Sequence, residues 1–205
     1  MPGRNVIKQD VSDSFQHVYA RGHSRHKIFA DEQDYITFLK LLQRYLSAEE
    51  ARDPYGVPYP NFYNKLELLA YVLMPNHFHL LIYQRQPQAM AHFMQSLLAS
   101  YSRYFNKKYK RSGPLFESRY KASMISDDSY LEHISRYIHL NPRQWRDYEY
   151  SSLPYYLQQD EVSWIRPRRI IESFSTPEDY LEFVSDYVEQ KKMMDILKQE
   201  LANKI

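Results

Sequence analysis

Tyr71-Val72-Leu73-Met74-Pro75-Asn76-His77-Phe78-His79-Leu80-Leu81-Ile82 is the stretch whose reading decides the fold. The apolar run 66–74 reads as a strand, Pro75-Asn76 supplies turn chemistry, and residues 77–83 read as a second strand, so the stretch is a hairpin. Side chains alternate along a strand, which puts His77 and His79 on one face and Phe78, Leu80 and Ile82 on the other, toward a core. Two imidazoles side by side on one sheet face make half of a metal site.

Outward from the hairpin, residues 14–21 alternate as a further strand, followed by a turn at Arg21-Gly22-His23-Ser24-Arg25. Residues 31–51 have helical periodicity, with Asp31 as N-cap. Three prolines and a glycine make 53–64 a loop. A long helix covers 88–109, ended by Lys110-Arg111-Ser112-Gly113-Pro114, and residues 115–125 hold a fourth strand. Residues 129–140 form a helix with capping-box spacing at Ser129 and Glu132, with Ser126 and Asp127-Asp128 as a competing start, stopped by Pro142. After Tyr150 the pattern is irregular until Thr176-Pro177-Glu178 opens a last helix, extending to about Asn203. The order of elements predicts an α+β fold: a mainly antiparallel sheet with helices packed on it, plus a C-terminal helical extension.

Composition sets the outer limits. The 205 residues carry 27 Lys and Arg against 25 Asp and Glu, a net charge of +2, and no cysteine. Disulfides and thiolate metal sites are therefore excluded. No apolar run approaches the roughly 20 residues of a membrane span, and residues 1–10 lack a signal-peptide core; the expected setting is the cytoplasm. Charge is unevenly distributed: Arg103, Lys107, Lys108, Lys110, Arg111, Arg119 and Lys121 face Glu117 alone, interleaved with Tyr101, Tyr104, Phe105, Tyr109, Phe116 and Tyr120. Such a stretch suits phosphates and unpaired bases; a solvated helix face with inward aromatics is the competing reading.

The helix before Pro142 reads Tyr130-Leu131-Glu132-His133-Ile134-Ser135-Arg136-Tyr137-Ile138-His139-Leu140-Asn141. Leu131, Ile134 and Ile138 give its buried stripe. Tyr137 and Asn141 are four apart, on one face and about 6 Å of rise apart, and His133 shares that face. A tyrosine nucleophile and an amide ligand so placed could meet one phosphate; packing plus a C-terminal cap is the competing reading. His139 faces elsewhere and reads as structural or as a peripheral contact.

Together these residues resemble a known family. Met74-Pro75-Asn76-His77-Phe78-His79-Leu80-Leu81-Ile82 is similar to the HUH motif (His, hydrophobic, His) of IS200-type single-tyrosine transposases, and Arg136-Tyr137-Ile138-His139-Leu140-Asn141-Pro142 resembles the catalytic helix of their REP-associated relatives. Tyr19-Ala20-Arg21-Gly22, Tyr104-Phe105-Asn106, Gly113-Pro114-Leu115-Phe116-Glu117-Ser118-Arg119-Tyr120-Lys121 and Tyr150-Ser151-Ser152-Leu153 follow in the family's order. Where the family often continues with a glycine turn, this chain has Arg143-Gln144-Trp145-Arg146-Asp147.

The resemblance implies a ferredoxin/RRM-like catalytic domain over 1–156 and an extension over 157–205. It implies a metal-dependent nickase and strand transferase for single-stranded DNA, acting through a 5′-phosphotyrosine on hairpin or palindromic repeat DNA. Tyr137 would be the nucleophile, and His77, His79 and Asn141 the ligands of Mg²⁺ or Mn²⁺. Arg21, Arg103, Lys107, Lys108, Lys110, Arg111, Arg119 and Lys121 would contact DNA. The implied partner is single-stranded or hairpin DNA, with no membrane and no small-molecule cofactor, for a monomer or homodimer. A hairpin-binding protein that performs no transfer, and a metal hydrolase using water, are the alternatives; the lack of an evident carboxylate beside the histidines counts against the second.

Overall fold

The computed structural model describes residues 10–125, 130–157 and 162–186. Strand β1 spans Ser14–Arg21, β2 Leu66–Met74, β3 His77–Gln84 and β4 Lys121–Ile125. They form an antiparallel sheet in the order β2-β3-β1-β4. The fourth strand is shorter than expected and starts at Lys121, because Leu115 and Phe116 instead bond and bridge to the turn after β1.

Helices α1 (Glu32–Leu46) and α2 (Ala89–Lys108) pack with one face of the sheet. Val18, Ala20, Phe78, Leu80 and Ile82 meet Phe38, Leu42, Phe93, Leu97 and Tyr101 there in the larger core. Asp31 caps α1 through a capping box with Asp34. The helix stops at Leu46 rather than near residue 51, although Ala48, Glu49 and Glu50 are good helix formers. The loop takes its terminal carbonyls: Phe62 N–H donates to Tyr45 and the Asn61 amide to Ser47, an override of local propensity by tertiary contacts.

The other face carries α3 (Leu131–His139), α4 (Leu153–Leu157), α5 (Arg168–Ile171) and α6 (Pro177–Ser185). Leu131, Ile134 and Ile138 enter a second core with Leu69, Val72, Leu81, Tyr156, Tyr180 and Val184. α6 begins as expected, with Thr176 capping through Asp179; its expected continuation beyond Asp186, and the Ser129 capping box of α3, lie outside the described residues. The extension is tightly joined to the sheet. Buried Glu67 on β2 accepts from Arg85 and Arg169, and Arg166 donates to the Tyr63 and Leu66 carbonyls. Among the described residues no helix is long and apolar enough to cross a membrane.

Candidate active site

The two expected histidines sit where strand periodicity puts them. His77 pairs with Arg21 and Met74 in the sheet, and His79 with Tyr19 and Val72. Their rings are 5.1 Å apart between centroids. The hairpin turn is held from β1: Gly22 N–H donates to the Asn76 carbonyl, and Ile28 and Phe29 donate to Pro75. A Cβ at Gly22 would collide with the His26 carbonyl oxygen, so only glycine permits the tight turn after β1.

Each histidine is oriented through its Nδ1. His77 Nδ1 lies 2.7 Å from Asn76 Oδ1, while the Asn76 amide nitrogen donates to the Arg25 carbonyl. That second bond fixes which end of the amide faces the imidazole, so His77 carries its proton on Nδ1 and keeps a lone pair on Nε2. His79 Nδ1 lies 2.9 Å from Nε2 of His17, a histidine the sequence did not single out. The His17 and His79 rings are stacked, 7° from parallel, and the other nitrogen of His17 has no hydrogen-bond partner.

α3 lays Tyr137 across this surface. The Tyr137 ring stands edge-on to His79 and to His17, at 5.5 and 6.0 Å between centroids. Asn141, just past the helix end, is close enough to both His77 and Tyr137 to bear on the ionisation of each. The structure therefore brings together His77, His79, Tyr137 and Asn141, which the sequence separates into a strand and a helix terminus.

The electrostatics keep this cluster neutral. Burial, then the positive charge of Arg21, lowers the His77 pKa to about 4, against an opposing hydrogen bond from Asn141. Burial and its histidine neighbours push His79 well below the ordinary value, and burial alone takes His17 to about 4. Burial raises the Tyr137 phenol, while the Asn141 hydrogen bond and the Arg21 charge pull it down. Arg21 thus acts electrostatically on both histidines and the tyrosine from the end of β1, and is more central than its place among general DNA contacts suggested.

The rest of the expected basic set is divided. Arg103 and Lys107 are on the solvent side of α2, across the sheet from His77, and Lys110, Arg111 and Arg119 are exposed in and after the following turn. Lys121 lies beside Tyr19, with its ammonium 5.8 Å from the ring centroid. Lys108 is engaged internally, 2.6 Å from Asp31 and 2.7 Å from fully buried Asp34, so its charge is compensated within the fold and it is the weakest of the set as a phosphate contact. His133 turns away from Tyr137 to accept from Arg136 and pack on Phe183. His139 is structural as read: buried between Tyr180 Oη at 2.7 Å and Ser152 Oγ at 2.7 Å.

Residues 63–141 match the family model for IS200-like transposases, and this segment spans the hairpin and the whole of α3. The matched segment is similar to IS200-like transposases. Its fold is similar to that of a REP-associated tyrosine transposase solved bound to a REP hairpin, with 14% identity over 71% of this chain and 80% of that one and a TM-score of 0.50. A transposase candidate from Deinococcus radiodurans R1 aligns at 22% identity over 64% of this chain and 93% of its own, with a TM-score of 0.40. No curated protein matches the chain. The α+β reading from sequence agrees with the fold, and the family resemblance agrees with the matched segment.

Proposed function

We propose that this protein is a transposase that nicks and rejoins single-stranded DNA, with Tyr137 as nucleophile and a divalent ion held by His77, His79 and Asn141. The observation that carries the reading is the convergence of these four side chains from the β3 hairpin arm and the end of α3. The donor set fits such an ion. Among the described residues no three His, Asp or Glu side chains are grouped to hold a metal; beside the two neutral imidazoles, the amide oxygen of Asn141 would be the third ligand. Two nitrogens and one oxygen leave positions for phosphate oxygens on Mg²⁺ or Mn²⁺.

When bound, the ion neutralises and polarises the phosphodiester. The chain supplies the rest. Tyr137 Oη loses its proton and bonds to phosphorus as the P–O3′ bond breaks; the 3′ oxygen leaves and takes up a proton, and the 5′-phosphoryl group stays on Tyr137. Arg21 favours the phenolate as it forms. A DNA 3′-OH then reverses the step onto another strand. Arg103, Lys107, Lys110, Arg111, Arg119 and Lys121 are the proposed phosphate contacts. Palindromic hairpin DNA is the proposed substrate class, supported by the hairpin in the fold relative.

The test is incubation with labelled hairpin-bearing single strands and Mn²⁺. A covalent adduct on the 5′ side of the nick that is absent in Tyr137→Phe supports the reading. Cleavage that survives Tyr137→Phe points to water as nucleophile, and binding with no adduct under any metal points to a binding module.

A further inference from the structure

α3 covers the catalytic face of the sheet unevenly. It packs on β2 and β3, while the same face continues across β1 and β4. Alternation puts His17, Tyr19 and Arg21 of β1 on that face, and Tyr19 pairs directly with Lys121 of β4. Above this strip is a cavity of about 230 Å³ lined by Tyr19, Ala20, Arg21, Glu117, Ser118 and Lys121. It adjoins the nucleophile: the Tyr19 and His79 rings are 5.6 Å apart, and the Tyr19 phenol, held at about 12 by burial, is electrostatically coupled to Tyr137. The cavity is smaller than the roughly 300–1,000 Å³ that encloses a drug-sized ligand. Its polar lining is also unused by the fold. Among the described residues Arg21, Glu117 and Ser118 make no side-chain hydrogen bond or ion pair.

We propose that this cavity takes one unpaired nucleobase, next to the phosphate presented to Tyr137, and that it prefers bases with an exocyclic amino group over thymine. The proposal rests on the single-stranded DNA reading above. Tyr19 offers an aromatic surface for stacking, which every base can use. Arg21 and Lys121 stand at the cavity wall as cations for the flanking phosphates. Glu117 is an acceptor with no internal donor, the complement of an amino group such as N4 of cytosine. Thymine brings the O4 acceptor in place of that amino group, setting two acceptors against each other.

Fluorescence anisotropy with labelled oligo-dC and oligo-dT of equal length, at one pH and salt concentration, tests this directly. The wild type binds oligo-dC about tenfold tighter. Glu117→Ala abolishes the difference. Tyr19→Ala weakens both strands about tenfold, as loss of one stacked base does, whereas Tyr19→Phe keeps the ring and binds as the wild type does. Equal affinity of the wild type for the two strands, a preference that survives Glu117→Ala, or full binding by Tyr19→Ala overturns the pocket. The nicking reading fails separately, in the covalent-adduct assay: a protein that forms the Tyr137 adduct but binds both homopolymers alike keeps that reading and loses this one.

Discussion

Nε2 of His17 lies 2.9 Å from Nδ1 of His79, in parallel rings that are both buried. One proton is shared between these two nitrogens. When His79 donates it, His79 Nε2 keeps the lone pair that a metal requires; when His17 donates it, that nitrogen carries hydrogen and cannot ligate. His17 therefore sets the state of a proposed ligand without being a ligand itself. His17→Ala is expected to lower Mn²⁺ affinity by about 10- to 100-fold, measured by titration calorimetry, with His17→Gln, whose amide oxygen can accept, recovering part of the loss. Unchanged affinity in His17→Ala would remove His17 from the site.

His77→Ala is expected to abolish nicking while hairpin binding persists, because the imidazole is a proposed ligand rather than a DNA contact. Gel-shift and adduct assays on one preparation check both halves. Full nicking by the variant would sink the metal assignment.

Lys108 and Arg21 separate structure from recognition. Lys108→Ala strips the ammonium from fully buried Asp34 and is expected to cost about 1–3 kcal/mol of stability, with no change in the salt dependence of DNA binding. Arg21→Ala is expected to leave the thermal midpoint nearly unchanged and to reduce the slope of log K against log salt by roughly 0.7, the value for one single-strand phosphate contact. Chemical denaturation and salt titrations of binding distinguish the two.

The extension steadies α3. Tyr180 Oη of α6 is 2.9 Å from Ser135 Oγ and 2.7 Å from His139 Nδ1, both on α3. Tyr180→Phe leaves His139 Nδ1 without a partner, while Ser135 Oγ keeps its bond to the Glu132 carbonyl, and is expected to destabilise the fold by about 1–3 kcal/mol. A calorimetric midpoint equal to that of the wild type would show that the extension does not brace α3.

Buried neutral histidines also set an acid limit. Burial lowers the pKa of His139 to about 3 and that of His17 to about 4. A folded-state value below the unfolded 6.5 means that the unfolded chain binds protons first as pH falls. Stability is thus complete above about 6.5 and declines from there toward pH 4. His139→Asn is expected to flatten that decline, read from thermal midpoints between pH 7 and pH 4.

The legible parts of the molecule were those written in local periodicity. Period two in the hairpin put His77 and His79 on one face and Phe78, Leu80 and Ile82 in the core; period 3.6 in α3 put Tyr137 and Asn141 together, and Pro142 marked the helix end. His17 was in view as a strand residue, and its spacing from Tyr19 and Arg21 already placed the three on one face. Its value stayed hidden because that depends on β1 lying beside β3, a pairing between distant segments that no local spacing records. The basic stretch divides for the same reason: its residues are adjacent in sequence, yet the sheet separates Arg103 and Lys107 from Lys121, and the α1 cap takes Lys108.

By itself, then, the sequence determined the elements, the face each side chain takes and the chemistry each can perform, since these follow from backbone geometry over a few residues. Only the tertiary structure decided which faces meet. Packing α3 over β2 and β3 through Leu131, Ile134 and Ile138 brought Tyr137 edge-on to His79, and the uncovered strip of β1 and β4 left the cavity beside it. Burial of apolar surface acts between segments far apart in the chain, so it fixes distances that no reading of neighbouring residues contains.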